Sequence, residues 1–186
     1  YRMEGDITDL NLRQKNSLKK NEVAFDAREL LRIIVGVDLC KLDSIGEITA
    51  LELISEIGTN MSCWKSEKQF SAWLNLVPNT KITGGNIISS KMQKKKNQAG
   101  LALRMAASNL TKSKSYLGDY ARKMRSRIGK KGAVIASAHK LSRIIFAMIK
   151  DKKEFDDKVF KTNQQRDKEQ RIRYLEKQLQ KLKQVA

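Results

Sequence analysis

Only one residue in this chain forbids a helix through its own backbone. Pro78 is the sole proline among 186 residues. Its ring removes a backbone N–H and fixes φ, so a helix that reaches it must stop. Elsewhere apolar residues recur at helical spacing. The stretch around the exception, "PNTKITGGNIISSK" from Pro78 to Lys91, adds a glycine pair and the hydroxyls of Thr80, Thr83, Ser89 and Ser90. The chain reads as all-α: a compact helical domain with one flexible, Gly-rich, hydroxyl-bearing loop over 78–91 and a charged helix at its C-terminus.

The domain spans 25–150 on this reading. Residues 1–24 are polar and weakly periodic, and read as a linker or the end of a preceding helix. Phe25, Leu30, Leu31 and Ile34 give a first helical run that stops near Gly36. In "VDLCKLDSIGEITALELISEIG", residues 37–58, a short turn leads into a helix with an Ile48, Leu51, Ile54 stripe, Leu53 and Ile57 beside it, and Gly58 ends it. That layout resembles a helix–hairpin–helix, in which Gly46 and nearby backbone N–H groups face a DNA phosphate. A plain tight turn at Gly46 is the other reading, and five acids against Lys41 argue against strong DNA contact in this segment.

"SEKQFSAWLNLVP" follows, with Ser66 and Gln69 as a capping box. Trp64 and Trp73 sit among apolar residues at helical spacing and are assigned to the core. Past the loop, Asn97 to Leu110 carries a small-residue stripe. Ser115 to Ile128 and Ala133 to Lys150 are two further helices, with Gly129 and Gly132 at the turn between them. The tail, 151–186, places Ile172, Leu175, Leu179 and Leu182 at heptad spacing over scarcely two heptads, enough for packing on a neighbour or a second subunit.

Charge narrows the function. Net charge is +18, with a pI near 10.0. Between Lys91 and Lys131 there are thirteen bases and one acid, Asp119. A field of that sign attracts polyanions, and phosphate contact is the economical reading. The candidate contacts are Lys81, Lys91, Lys94, Lys95, Lys96, Arg104, Arg122, Arg125, Arg127, Lys130, Lys131 and Gly46. Cys40 and Cys63 lie far apart without histidine neighbours, which suits a reducing cytoplasm and gives no metal site. No apolar run approaches the ~18 residues that span a bilayer, so no membrane partner is expected. His139, the one histidine, has no visible metal partner, and no phosphate-binding Walker loop is present.

The order of segments carries more. "GVDLCKLDSIGEITALELISEIGTNMSCW", "SEKQFSAWLNLVPNTKITGG", "LALRMAASNL" with "SKSYLGDYARKMRSRIG", and "AVIASAHKLSRIIFAMIKDKKEFD" resemble the C-terminal domain of a group of bacterial insertion-sequence transposases. Members pair an N-terminal RuvC-like DEDD domain with a serine-bearing transposase domain and are guided by a bridge RNA. The resemblance runs from about Phe25 to Phe155. It implies DNA transposition by hydroxyl-nucleophile strand exchange, with DNA, a guide RNA and further transposase subunits as partners. It also implies a cytoplasmic, nucleoid-associated setting.

In that family the loop after the "WL-x-L-x-P" helix reads Ser-Gly-Gly-Lys, and its serine forms a covalent 5′-phosphoserine link. Position by position, the nucleophile falls on Thr83, the glycines on Gly84 and Gly85, and the lysine on Asn86. Threonine keeps the oxygen but adds a methyl on the attacking carbon, and asparagine removes a phosphate-stabilising cation. An ordinary turn hydroxyl is the alternative role for Thr83. The resemblance places Mg²⁺ in the RuvC-like domain, which residues 1–24 do not supply. The chain is therefore expected to be a truncated or decayed copy, inactive alone. The rival functions are a non-catalytic nucleic-acid-binding module and a helical oligomerisation protein.

Overall fold

Short polar side chains set the helix starts. The computed structural model describes residue 23 and residues 25–93, 96–158, 169–170 and 172–180. Helix α1 (Ala27–Val35) begins where Asp26 accepts the Glu29 N–H at 3.1 Å, and ends at Gly36 with φ 80°. Helix α2 (Glu47–Ile57) starts at Gly46 without a side-chain cap and ends at Gly58. Helices α3 (Glu67–Trp73), α4 (Gln98–Asn109) and α5 (Tyr116–Asp151) begin at Ser66, Asn97 and Ser115. Each of those three side-chain oxygens accepts an N–H that the helix itself leaves unpaired. The Gln69 side chain accepts the Lys65 N–H at 2.9 Å, one residue earlier than a capping box would place it. The linker reading of 1–24 falls outside the described residues except for position 23, as do Leu182, Lys94 and Lys95.

The protein is mostly helical but not all-α. The 78–91 stretch is a β-hairpin rather than an open loop: strands β1 (Asn79–Thr83) and β2 (Asn86–Lys91) pair antiparallel. Gly84 and Gly85, at φ 56° and 80°, make a two-residue turn in the left-handed region. The twist of such a turn matches that of paired strands. The β-branched Thr80, Ile82, Thr83, Ile87 and Ile88 favour the strands on either side. Ile82 pairs with Ile87 and Lys81 with Ser89, so Ile88 is an extra residue, a β-bulge.

The two helices expected at 115–128 and 133–150 are the arms of α5. Gly129, at φ 75° and ψ 173°, breaks the helix between them. The arms fold back on each other, because Lys140 Nζ lies 5.8 Å from the Tyr116 ring and 5.9 Å from the Tyr120 ring. An 18-residue window of α5 has a mean hydropathy of 1.4, long and apolar enough to cross a membrane, contrary to the expectation from the sequence. Half of it is buried in the fold, as in the core helix of a globular domain.

The core gathers Leu31 and Val35 of α1, Leu53 and Ile57 of α2, Phe70 and Leu74 of α3, Leu103 of α4, and Leu141, Ile145 and Ile149 of α5. The Phe70 ring sits 4.9 Å from Trp64 and 5.5 Å from Phe146, so the tryptophans are packing residues. Two expected stripes are rotated. Ile34 is 44% exposed, and α2 buries Ala50, Leu53, Ile54 and Ile57 rather than Ile48 and Leu51. Phe155 packs on the core, and a second compact unit begins at Asp156. In that unit residues 172–180 are helical, with Ile172, Leu175 and Leu179 exposed.

Asp38 ties α1 to the chain leading into α2. It is buried, accepts from Arg28 Nη2 at 2.6 Å and Nε at 3.0 Å, and accepts the Cys40 N–H at 2.9 Å. Burial alone pushes its pKa up; Arg28, the Cys40 N–H and Lys41 outweigh it and hold the carboxyl below its ordinary value. A depressed folded pKa means the contribution is full above the unfolded value and is lost as pH falls through the folded one. Arg28→Ala is expected to cost about 1–2 kcal/mol near neutrality, because a buried acceptor loses its partner. In urea unfolding, that difference from wild type should shrink below about pH 4.

Candidate nucleic-acid interface

Two asparagine side chains fix the base of the hairpin. Asn75, buried with φ 56°, donates from Nδ2 to the Gln93 carbonyl at 2.8 Å. Asn97 donates from Nδ2 to the Trp73 carbonyl at 3.1 Å while its Oδ1 accepts the Gly100 N–H at 2.7 Å. The chain entering the hairpin is thus tied to the chain leaving it. Nothing in the sequence pattern marks these residues, since asparagine at a helix start or turn is ordinary.

The strand register sorts the hairpin's side chains onto two faces. Thr83 pairs with Asn86, Lys81 with Ser89 and Asn79 with Lys91, so these six share one face. Ile82 with Ile87, and Thr80 with Ser90, occupy the other. The Thr83 hydroxyl therefore shares its face with two cations, Lys81 and Lys91, whichever residue stands at 86. Residues 79–88 are all exposed. An added Cβ at Gly84 or Gly85 would meet nothing within 4 Å, so the turn stands clear of the body.

The base of the hairpin abuts α5. Pro78, Ser90 and Met92 line one opening of about 410 Å³ together with Ile128, Gly132 and His139. His139 is half-buried; burial first, then Arg143, holds its pKa below the ordinary histidine value, so it is neutral at pH 7. Arg125, Arg127, Lys130 and Lys131 flank the Gly129 break and are exposed. With Lys81, Lys91 and Lys96, none of them joins an ion pair among the described residues. Asp119 is the only carboxylate between Glu67 and Asp151, and it pairs with Arg122.

Three expected contacts stand apart from this cluster. Arg122 is committed internally: besides Asp119 it donates to the Thr111 carbonyl at 3.0 Å and to the Ser113 carbonyl. Arg104 is half-buried and donates to the Gly100 carbonyl at 3.2 Å. Gly46 lies at a separate opening of about 710 Å³, lined also by Arg28, Glu47 and Glu52. The two carboxylates there oppose the pull of the α2 N-terminus on an anion. Among the described residues no three His, Cys, Asp or Glu side chains gather to hold a metal ion.

Residues 38–122 match the family model of the Transposase IS116/IS110/IS902 family. The match supports a C-terminal-type domain of an insertion-sequence transposase in this segment, and with it a role in transposition. It includes α2, α3, the hairpin, α4 and the first turns of α5. No curated protein matches the chain.

Proposed function

We propose that this chain is a DNA-holding domain of an insertion-sequence transposase, with the hairpin and the α5 turn as its contact surface. The observation that carries the reading is the hairpin face that Thr83 shares with Lys81, two residues away, and with Lys91 farther down the strands. At the base of the same hairpin, which shares an opening with Ile128 and Gly132, Arg125, Arg127, Lys130 and Lys131 supply exposed cations with no carboxylate among them. A backbone phosphate set on that face meets a hydroxyl and positive charge together.

The chemistry proposed for the face is attack by Thr83 Oγ1 on a phosphodiester. A bond from Oγ1 to phosphorus forms as the bond from phosphorus to the deoxyribose 3′ oxygen breaks. The 5′-phosphate is left on the protein, and the 3′ oxygen leaves as a hydroxyl with the proton Thr83 gives up. Lys81 and Lys91 offset the charge that builds on the phosphoryl oxygens. No step passes through a metal ion. Self-association, a guide RNA and a cytoplasmic site of action belong to the same proposal, and the exposed Ile172, Leu175 and Leu179 support the first of these.

Salt dependence of duplex binding tests the reading. The full chain is expected to bind labelled duplex DNA with log K falling against log salt at a slope of about −4 to −5, for roughly five neutralised phosphates. A flat response would favour a helical oligomerisation protein.

A further inference from the structure

The hairpin's second face has no role in the proposed chemistry. Ile82, Ile87 and Ile88 are 61%, 66% and 68% exposed, the three most exposed large apolar side chains of the described domain apart from Met105 at 63%. Exposed isoleucines are costly to leave in water, and such a cluster marks a contact surface. It is not spare packing area, since the Gly84–Gly85 turn stands clear and the hairpin is anchored at its base, through Asn75 and Asn97.

Charge identifies the occupant. Ser90, on the isoleucines' face of the hairpin, shares an opening with Ile128 and Gly132 of α5, and the exposed Arg127, Lys130 and Lys131 flank that turn. No acid occurs between Glu67 and Asp119. A partner that covers the isoleucines must tolerate these cations at its edge, and a nucleic-acid duplex does so by offering phosphates around an apolar stack of bases. A two-stranded ribbon fits a DNA groove. Isoleucine is among the residues that wedge between base steps, where partial unstacking kinks the duplex.

We infer that the hairpin is a DNA-deforming ribbon: Ile82 and Ile87 wedge into a base step of a bound duplex. The inference rests on the DNA-holding reading above and adds to it that binding bends DNA.

The test uses the full chain and a duplex of about 30 base pairs labelled at both ends for energy transfer. A second duplex carries two unpaired bases at its centre and is therefore already easy to kink. Wild type is expected to bring the ends of the straight duplex closer together and to bind the bulged duplex about tenfold more tightly than the straight one, because unstacking is prepaid there. The variant Ile82→Thr/Ile87→Thr keeps β-branched residues in both strands. It should bind the straight duplex within about twofold of wild type, with the same salt slope, yet lose both the bend and the tenfold preference.

If wild type binds with the expected salt slope but leaves the duplex straight, the wedge is overturned and the DNA-holding reading stands. The wedge is likewise overturned if the variant bends DNA as well as wild type does. If wild type shows no salt-dependent binding, both fall. Sedimentation of the same two proteins checks the rival occupant. A wild-type dimer that the variant abolishes, with bending unchanged, assigns the isoleucines to a second copy of this chain and overturns the wedge.

Discussion

Replacing Gly100 by alanine is expected to destabilise the domain by about 3 kcal/mol, the opposite sign to the usual effect of that change in a helix. Inside an exposed helix, alanine in place of glycine gains roughly 0.5–1 kcal/mol, because glycine loses more backbone freedom on folding. Gly100 is buried in the first turn of α4, and a Cβ there would lie 2.0 Å from the Leu74 carbonyl oxygen and 3.1 Å from its carbon. The obstacle is backbone, so no rotamer change relieves it. Helix α4 must retreat from the end of α3, and overpacking of this kind costs about 1–3 kcal/mol or more. Retreat also strains the Asn97 link to Trp73 and the Asn97 cap on Gly100. Urea unfolding of the full chain measures it. A midpoint above wild type would show that α4 does not pack as described. Gly46→Ala, where an added Cβ meets nothing within 4 Å, is the matched control and should cost no more than about 1 kcal/mol, the loss of glycine at a helix start.

The second large effect is on chemistry. With a carboxylate-bearing transposase domain supplied in trans, Thr83→Ala is expected to remove a covalent protein–DNA adduct, a loss of about a hundredfold or more, since no other atom at 83 can attack. Thr83→Ser with Asn86→Lys should raise adduct formation about tenfold or more. Serine removes the methyl beside the attacking oxygen. A lysine at 86 stands directly across from residue 83 in the register and adds a third cation to the Lys81 and Lys91 face. Both positions are exposed at the hairpin tip, so thermal stability should not move. Peptide mapping reads the attachment site. An adduct that survives Thr83→Ala and maps to Ser89 or Ser90 would remove Thr83 from the proposed role.

The helices are legible in the sequence because apolar residues recur at helical spacing: the runs read from Ser66, Asn97 and Ser115 each form a helix that starts there. The hairpin is the main departure. Its signal is present, with Thr-Lys-Ile-Thr and Asn-Ile-Ile-Ser around a two-glycine turn, but strand sequences usually alternate a buried face with a wet one. Here both faces are exposed, so alternation gives no hydrophobic contrast to read. Facing and pairing also lie beyond the sequence. Arg122 and Arg125 look alike in the chain and are both exposed, yet Asp119 and two carbonyls engage the first, while the second joins no ion pair among the described residues. The rotated stripe of α2 has a similar cause, since the face it buries is set by its packing against α1 and against α4, whose own buried side is lined with alanines.

Whether the hairpin and the α5 turn hold DNA is best decided by repeating the salt titration on Arg125→Ala/Arg127→Ala/Lys130→Ala/Lys131→Ala. Beside it runs a control, Lys65→Ala/Lys68→Ala, that removes charge around the start of α3. If DNA lies on this surface, the four-residue variant binds the duplex more weakly and its salt slope is smaller by about 3. The control should keep the wild-type slope. Equal slopes for wild type and the four-residue variant, or an equal loss in the control, would rule this surface out as the DNA contact.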